Sequence, residues 1–338
     1  MANYTINDIA RLANVSPAAV SYVINDKPGV SQQTRKIIQK IIDETGYNPN
    51  LSSRKLVLNK SFNIHIVIGS AFASFDNLFY NTAIKRMMEV CQESGYNLVL
   101  SNTENFEKSA LRRAIQQKDV DGVIFLQDVV HGAVNYLHRH KVPYVILDAH
   151  ELIEEHNSVY CDYSKAAYTA TKYLLSKGHR GVAFVGMNSI QEFFDSSKTG
   201  YEKALEDSGI TPDVSWIHGG ADDEKSMHVC AQSLKTLLPD VSAVLCATDV
   251  LAVTFIKQLS KLRIKVPQDL SVCGMDDVLI ARYCTPSLST VEIDKQKMGE
   301  TAIRLLLDII DEKKPMKGQN VCINGERIIE RESVRENI

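Results

Sequence analysis

Apolar and polar positions over the first 24 residues predict two short helices joined by a tight turn. Thr5 is a suitable N-cap for the first helix, with Asp8 three residues later. Asn14 suits a left-handed turn, and Ser16 followed by Pro17 marks the start of a second helix over about residues 17–24. This is the pattern of a helix-turn-helix, whose second helix enters the major groove of DNA. The same spacing also suits a helical hairpin in a protein core.

A third helix is predicted over residues 31–46. Ser31 would cap it, isoleucines line one of its faces, and Gly46 would end it. Small and branched residues of the first two helices, Ala10, Ala13, Val15, Val20 and Val23, can pack between the helices. Residues 47–50 then break the chain. Three helices within about 46 residues predict a domain of the size that reads one DNA half-site.

From residue 61 onward, short apolar runs alternate with amphipathic helices. Such runs, bounded by turn residues, are typical of parallel strands that are covered on both faces. The candidate strands are 63–69, 96–102, 122–127, 143–148, 181–186, 241–247 and 270–275. Helices over 78–94 and 164–177 would end at Gly95 and Gly178. The body is therefore predicted to be a doubly wound α/β fold, long enough for two lobes.

Charge divides the chain at the same place. Residues 1–60 hold eight lysines and arginines against four acids, a net charge of +4, whereas the whole chain carries −3. The remaining residues therefore carry −7. A basic head on an acidic body is expected where only the head meets phosphate.

The residues of the head carry a resemblance to a known family. The order T-I-x-D-I-A-x-x-A-x-V-S-x-x-x-V-S-x-x-I-N from Thr5 to Asn25, continued through 46–50 and 53–56, resembles the LacI/GalR (lactose-repressor) family of bacterial transcription regulators. The resemblance implies an all-α helix-turn-helix head and an α/β periplasmic-binding-protein-like core of two Rossmann-like lobes. It implies a DNA-binding domain over 1–49, a hinge over 50–60 and an effector-binding and dimerisation core over 61–338.

By this resemblance the residues at Pro17, Ala18 and Tyr22 set much of the base preference. The family often has arginine at the last position, and tyrosine offers only one hydroxyl and a ring. We therefore expect direct readout from Ser16, Ser21 and Tyr22, with apolar contacts from Ala18. Thr5, Asn25, Ser31 and Thr34 are expected to position the head on phosphates.

Residues 50–60 alone suggest only a basic linker, because so short a helix is marginal in water. The resemblance implies a hinge that becomes helical when two copies pair over the operator. Leu56 matches the leucine that this family wedges into the minor groove, which favours a flexible step at the centre of the site. Asn50, Arg54 and Lys55 are the other residues of this segment expected to contact DNA.

The resemblance places the first lobe at about 61–160 and 292–320, and the second at about 161–291 and 321–338. Ligands of open α/β sheets bind at the carboxyl ends of strands. Candidate effector-binding residues at strand ends are Ser70, Ser101, Gln127, Asp148, Asp249 and Asp276. An aspartate in such a place is also a common helix N-cap.

Two further cleft positions depart from the family pattern. Ser197 stands where sugar-responsive members usually carry arginine, and Asp222 stands near the place of an aromatic residue that stacks on sugars. A simple sugar effector is therefore in doubt. Another small molecule, a protein co-regulator or no effector at all remain open.

No motif of a catalytic site is present, since the chain lacks G-x-S-x-G, a Walker lysine loop and G-x-G-x-x-G. His138 and His140 have no acid at ligand spacing, so neither a metal nor a cofactor is expected. The seven cysteines form no C-x-x-C pair and suggest a reduced, cytoplasmic protein. A secreted solute-binding protein would share the two-lobed body but need an export signal, and an enzyme would need a reactive cluster in the cleft.

The favoured function is a sequence-specific transcription regulator, with repression as the family default. One head contacts few bases, so we expect a homodimer that reads two half-sites of a near-palindromic operator. An effector in the cleft can change DNA affinity only by binding two states of the protein differently.

Overall fold

A computed structural model describes residues 4–24, 27–47, 58, 60–68, 77–102, 105–220 and 223–337 of the chain. The chain divides into two compact units, Met1–Phe62 and Asn63–Ile338. We call these units the head and the core.

The described part of the head contains the predicted helix-turn-helix and a third helix. The helices are α1 (Ile6–Ala13), α2 (Pro17–Ile24) and α3 (Gln32–Thr45). Thr5 and Asp8 form a capping box at the start of α1, and Asn14 ends it in the left-handed region at φ 53°. Ser31 caps α3, and Gly46 ends it at φ 62°. The local signals of the sequence are thus confirmed.

Five apolar side chains form the centre of the head, and all three helices contribute to it. The buried residues are Ile9, Ala10, Val20, Val23 and Ile38, with Ala13 and Val15 partly buried against them. Ala10 is small where α1 meets α2, so the two helices pack closely. The head therefore depends on very few buried side chains.

The first lobe of the core is built on a wholly parallel sheet. Its strands lie in the order β11-β5-β4-β3-β1-β2. They are β1 (Asn63–Ile68), β2 (Asn97–Asn102), β3 (Gly122–Leu126), β4 (Tyr144–Leu147), β5 (Ser158–Cys161) and β11 (Asn320–Ile323). The lobe also contains α4 (Leu78–Glu93), α5 (Ala110–Gln116), α6 (Ala133–His140) and α12 (Lys295–Ile310). Helix α12 packs against α4 and across β3, β4 and β5.

The second lobe has a sheet of the same size, in the order β12-β10-β9-β8-β6-β7. Its strands are β6 (Val182–Val185), β7 (Ile217–His218), β8 (Ala243–Cys246), β9 (Ser271–Asp276), β10 (Ser289–Glu292) and β12 (Arg327–Ile329). Only the β10–β12 pair is antiparallel among the described strands. The helices of this lobe are α7 (Tyr163–Ser176), α8 (Gln191–Glu206), α9 (Glu224–Lys235), α10 (Asp249–Lys261) and α11 (Leu279–Tyr283).

The chain passes between the lobes after β5, after β10 and after β11. The predicted division at 320/321 is wrong in one respect, because β11 pairs in parallel with β5 of the first lobe. Residues 321–323 therefore belong to the first sheet and not to the second. Short, half-exposed strands such as β11 take their place from pairing with distant residues, for which the local pattern holds no signal.

Close helix packing in the second lobe depends on Gly200 of α8. A Cβ added there would lie 1.8 Å from the carbonyl oxygen of Ser164 in α7. Any side chain at this position would therefore force α7 and α8 apart. The position of α7 matters because its first residue, Tyr163, lines a cavity of the core.

We predict that Ile38→Ala unfolds the head. Ile38 is fully buried among the five apolar side chains at the centre of the head. Truncating a buried isoleucine to alanine lowers the free energy of unfolding by about 2–5 kcal/mol. The adjacent Ile37 is 46% exposed, so Ile37→Ala is a matched control that should leave the head folded. Amide hydrogen exchange over residues 4–47 of the full chain measures the effect. Equal protection of the amides in the two variants would contradict the assignment of Ile38 to the buried centre of the head.

Candidate functional site

The head presents an exposed face of α2. Ser16, Pro17, Ala18 and Tyr22 are exposed, whereas Val20 and Val23 on the opposite face are buried. The Ser16 hydroxyl oxygen accepts a hydrogen bond from the backbone N–H of Ala19 at 3.2 Å. Of the predicted base-reading residues, Ala18 and Tyr22 are thus exposed on α2 and Ser16 is exposed just before it, whereas Ser21 is half-buried.

Tyr22 is 43% exposed and its ring lies beside Gly29. A Cβ at Gly29 would lie 3.3 Å from two ring carbons, and Gly29 itself has φ 115°, which favours glycine. The glycine therefore lets the backbone pass close to the ring and limits where the tyrosine can point.

The residues predicted to contact phosphate lie at helix starts. The Thr5 hydroxyl donates to Asp8 at 2.7 Å, and the Ser31 hydroxyl oxygen accepts from the backbone N–H of Thr34 at 3.1 Å. The N-termini of α1 and α3 are thus capped and exposed, and such helix ends attract anions. Asn25, Asn50, Arg54, Lys55 and Leu56 lie outside the described residues.

Arg35, counted in the basic charge of the head, binds backbone instead. Its guanidinium donates to the carbonyl oxygens of Lys27 at 2.7 Å and Val23 at 3.5 Å. These bonds hold the segment between α2 and α3 against α3. This role was not predicted, because the place of an arginine in the sequence does not show whether its side chain contacts phosphate or backbone.

The core contains a cavity of about 300 Å³ between the carboxyl ends of its two sheets. Residues that follow β3 and β4 form one side of it, and residues that end or follow β8 and β9 form the other. The described residues of its wall are Asn77, Phe79, Tyr80, Gln127, Asp148, His150, Tyr163, Met187, Ile190, Phe193, Thr248, Val250, Asp276 and Val278. The cavity is therefore where an open α/β sheet binds ligands.

Three of the predicted strand-end residues reach this wall, and all three have a positive φ. The values are 70° for Gln127, 65° for Asp148 and 114° for Asp276. Residues other than glycine adopt this region at a cost, and such strain is concentrated at binding sites. The backbone turns sharply at each strand end and brings a polar side chain into the cavity wall.

Asp148 accepts two hydrogen bonds within the described cavity wall. One carboxylate oxygen accepts from the Tyr80 hydroxyl at 2.7 Å, and the other accepts from the Tyr163 hydroxyl at 2.6 Å. Tyr80 lies in α4 of the first lobe and Tyr163 begins α7 of the second lobe. The buried carboxylate therefore joins the two lobes across the cavity.

His150 lies next to this carboxylate. Its Nε2 is 3.5 Å from Asp148 Oδ2, and its Nδ1 is 3.4 Å from the Gln127 amide. Burial lowers the pKa of His150, but the charges of Asp148, Asp128 and Glu192 outweigh burial, and the net change is upward. The ring also packs against Tyr163 at 5.5 Å and Phe193 at 5.4 Å between centroids.

Asp249, a predicted effector ligand, lies behind the wall. Its carboxylate accepts from the Thr290 hydroxyl at 2.6 Å and from the backbone N–H of Val278 at 2.8 Å. Burial raises the pKa of Asp249 to about 7, although both hydrogen bonds act in the opposite direction. Asp249 thus holds the segment that follows β9, and the prediction that it faces a ligand is not supported.

Asp276 faces the cavity beside a buried lysine. The Lys295 ammonium donates to the backbone carbonyl of Asp276 and, at 2.9 Å, to that of Ile293. Burial and the charge of Asp249 raise the pKa of the Asp276 carboxyl well above its usual range. Asp276 and Lys295 belong to different lobes, so this contact is a second connection between them.

Two other predicted cleft residues are placed elsewhere. Ser101 is buried between strands, with its hydroxyl 3.1 Å from His65 Nδ1. Ser197 is buried within α8, and its hydroxyl has no hydrogen-bond partner in the described part of the chain. Neither belongs to the described cavity wall. Ser70 and Asp222 lie outside the described residues.

The aromatic residues of the wall were not predicted from the sequence. Tyr80, His150, Tyr163 and Phe193 come from four separate segments, and each lies within three residues of the start of a helix or the end of a strand. That position was a usable signal, because loops at the carboxyl ends of strands carry binding groups.

Among the residues that the structure describes, no group of three or more His, Cys, Asp or Glu could hold a metal ion. None of the described helices is sufficiently long and apolar to span a membrane.

Comparison with known proteins adds two family matches. Residues 5–50 match the family described as bacterial regulatory proteins, lacI family. Residues 171–334 match the periplasmic binding protein-like domain. The HTH-type transcriptional repressor PurR of Escherichia coli O139:H28 is 31% identical over 340 residues, covering 98% of this chain and 97% of that protein. PurR of Vibrio atlanticus is 30% identical, with 98% of each chain covered.

Solved structures of similar fold cover nearly the whole chain. The complex of the transcriptional regulator CelR with cellobiose has a TM-score of 0.70 and 25% identity, covering 98% of this chain and 100% of that one. The lac repressor dimer bound to operator and the anti-inducer ONPF has a TM-score of 0.74 and 21% identity, covering 99% and 100%. The latter likeness concerns the fold alone.

We predict that Asp249→Asn makes the core less sensitive to pH. A buried carboxyl with a pKa raised from 3.8 to about 7 destabilises the folded state as it ionises. Stability should therefore fall with rising pH between about pH 4 and pH 7, and the variant should show a shallower slope. Asparagine can accept from Val278 and donate to Thr290, so both hydrogen bonds survive.

Denaturant unfolding at several pH values measures this slope. Asp240→Asn, at an exposed aspartate before β8, is the control and should keep the slope of the unchanged protein. A slope in Asp249→Asn equal to that of the control would contradict the assignment.

Proposed function

The chain belongs to the LacI family of bacterial regulatory proteins, and on this premise we propose that it represses transcription by binding an operator through its head, with its affinity set by a ligand in the core cavity. The observation that supports this most is the exposed face of α2, which groups Ser16, Ala18 and Tyr22 opposite a buried core. A recognition helix requires this division.

Within the head we propose that Tyr22 is the main base-reading residue. Its hydroxyl can bond one base edge and its ring can contact a thymine methyl group. Ser16 and Ser21 supply shorter polar contacts, and Pro17 and Ala18 supply apolar ones. Thr5, Ser31 and Thr34 position the helix on phosphates through the exposed N-termini of α1 and α3.

The protein acts as a homodimer on a near-palindromic operator, because one head reads too few bases for useful specificity. We propose that Asn25, Asn50, Arg54 and Lys55 add backbone contacts, and that Leu56 enters the minor groove at the centre of the site. This part rests on the family resemblance of the hinge sequence.

The proposed ligand site is the cavity between the lobes. Relatives of this fold include a complex with cellobiose and one with an anti-inducer, which makes a small molecule the favoured regulator here. Asp148 and Asp276 both take part in contacts that cross between the lobes. A ligand that rearranges these contacts would bind the two lobe arrangements with different affinity, which regulation requires.

We propose a cytoplasmic location, where the operator is found, and no catalytic activity. Asp148, Tyr80 and Tyr163 of the cavity wall bond to one another, and the relatives in Escherichia coli and Vibrio atlanticus are repressors.

The test is to change Tyr22 and measure operator affinity by fluorescence anisotropy. Tyr22→Ala should lose about 1–3 kcal/mol on the operator and weaken discrimination at the contacted base pair, with little change on unrelated DNA. Tyr22→Phe keeps the ring and should lose only the part of the operator-binding free energy that the hydroxyl contributes. If Tyr22→Ala weakened binding to all DNA equally, Tyr22 would be a positioning contact and the readout proposal would be wrong.

A further inference from the structure

We propose that the ligand of the core cavity is a small organic cation, an amine with an aromatic or apolar body. This inference rests on the proposed function, since the cavity is the regulatory site there. It is supported by the rings of the wall, by the acids among its titratable groups and by a buried lysine that bonds to the backbone of Asp276.

Aromatic rings make up a large share of the cavity wall. Phe79, Tyr80, His150, Tyr163 and Phe193 all line it. Tyr163 and Phe193 lie 4.6 Å apart between centroids with planes at 85°, and Phe79 and Tyr80 lie 5.3 Å apart at 81°. Rings at right angles present faces in several directions, which is how aromatic groups surround an ammonium ion.

The titratable groups of the described wall are Asp148, Asp276 and His150, with no lysine or arginine among the described lining residues. A phosphate or carboxylate ligand would therefore lie against Asp148 and would raise the pKa of Asp276 further, with only His150 of the wall to compensate its charge. An ammonium group is instead attracted by Asp148 and favours the ionised form of Asp276. The charge of the wall thus favours a cation over an anion.

Asp276 is the carboxylate that remains to bind an ammonium group. Each oxygen of Asp148 already accepts from a tyrosine hydroxyl. Asp276 accepts from the backbone amide of Asp249, which leaves capacity because a carboxylate has about four acceptor positions. Burial, and after it repulsion from Asp249 and Asp148, holds the pKa of Asp276 high, and a cation beside the carboxyl would counter these effects.

Lys295 shows that this environment accepts a buried cation. Its ammonium lies 5.8 Å from the centroid of the Phe79 ring and donates to the carbonyls of Asp276 and Ile293. It bonds to backbone, so it leaves the carboxylate of Asp276 to the ligand. A ligand amine would approach the same residue, Asp276, from the cavity side and would bond to its carboxylate.

The volume limits the body of the ligand. About 300 Å³ is at the small end for ligand pockets, so a single-ring amine fits and a dinucleotide does not. Apolar residues Met187, Ile190, Val250 and Val278 complete the wall and would contact the body.

The experiment compares three probes with one body and different head groups, namely phenethylamine, 2-phenylethanol and phenylacetate. Binding to the full chain is measured by calorimetry at neutral pH, with probe concentrations up to about 10 mM. We expect phenethylamine to bind about tenfold or more tightly than the alcohol, and phenylacetate to bind more weakly than both.

Asp276→Asn should remove most of the preference for the amine over the alcohol. Asparagine matches aspartate in shape and tolerates a positive φ better than most residues, so the wall should persist. The exposed Asp240→Asn is the control and should keep the full preference. Phe193→Leu is a second variant, expected to weaken the amine several-fold and the alcohol less, because it removes a ring while keeping an apolar side chain.

The proposal is overturned if the alcohol or phenylacetate binds as tightly as the amine, if none of the three probes binds, or if Asp276→Asn and Phe193→Leu both keep the full preference. Operator binding by the unchanged protein is measured in parallel. If the protein binds the operator but prefers phenylacetate to phenethylamine, the proposed cationic ligand is rejected and the repressor function stands. Absence of operator binding would reject the repressor function whatever the probes do.

Discussion

The buried carboxylate of Asp148 is the interaction on which the arrangement of the core depends. It lies at the end of β4 and accepts one tyrosine hydroxyl from each lobe. Hydrogen bonds to a charged group are worth about 1.5–3 kcal/mol each, and leaving a buried carboxylate without them costs more. Separating the lobes would therefore break the bond from Tyr163 and leave one oxygen of Asp148 to accept from another donor, from water or from a ligand. This makes the cavity sensitive to what occupies it.

Asp276 and Asp249 are two further buried acids, and both belong to the second lobe. Burial raises the pKa of both carboxyls, so their ionisation opposes folding unless positive charge lies nearby. Lys295 provides part of that charge from the first lobe. Buried acids near the meeting of two lobes make their arrangement sensitive to added charge, which is what a ligand-controlled switch needs.

Much of the fold could be predicted from local signals. The head follows from capping residues and the period of its apolar positions, and the seven predicted strands all occur with ends shifted by one or two residues. Strands β5, β7, β10, β11 and β12 were not predicted. They are short or partly polar, and they gain stability from partners distant in sequence. For the same reason the boundary between the lobes at β11 was misplaced.

The candidate site was predicted only in part. Gln127, Asp148 and Asp276 could be found because a polar residue ends a buried strand. Asp249 has the same local pattern, but its carboxylate caps backbone behind the wall. Tyr80, Tyr163 and Phe193 each lie near the start of a helix, which marks them as candidates, but only the folded core brings their rings together. The location of the site could thus be predicted from polar residues at strand ends. Which aromatic and charged side chains surround it could be seen only in the structure.

The most direct test of the account is to select DNA from a random library with the intact protein and to sequence what it retains. The account predicts a near-palindromic consensus with two half-sites related by twofold symmetry, and no enrichment when residues 1–62 are removed. An asymmetric single half-site, or the same consensus from the protein without its head, would contradict it.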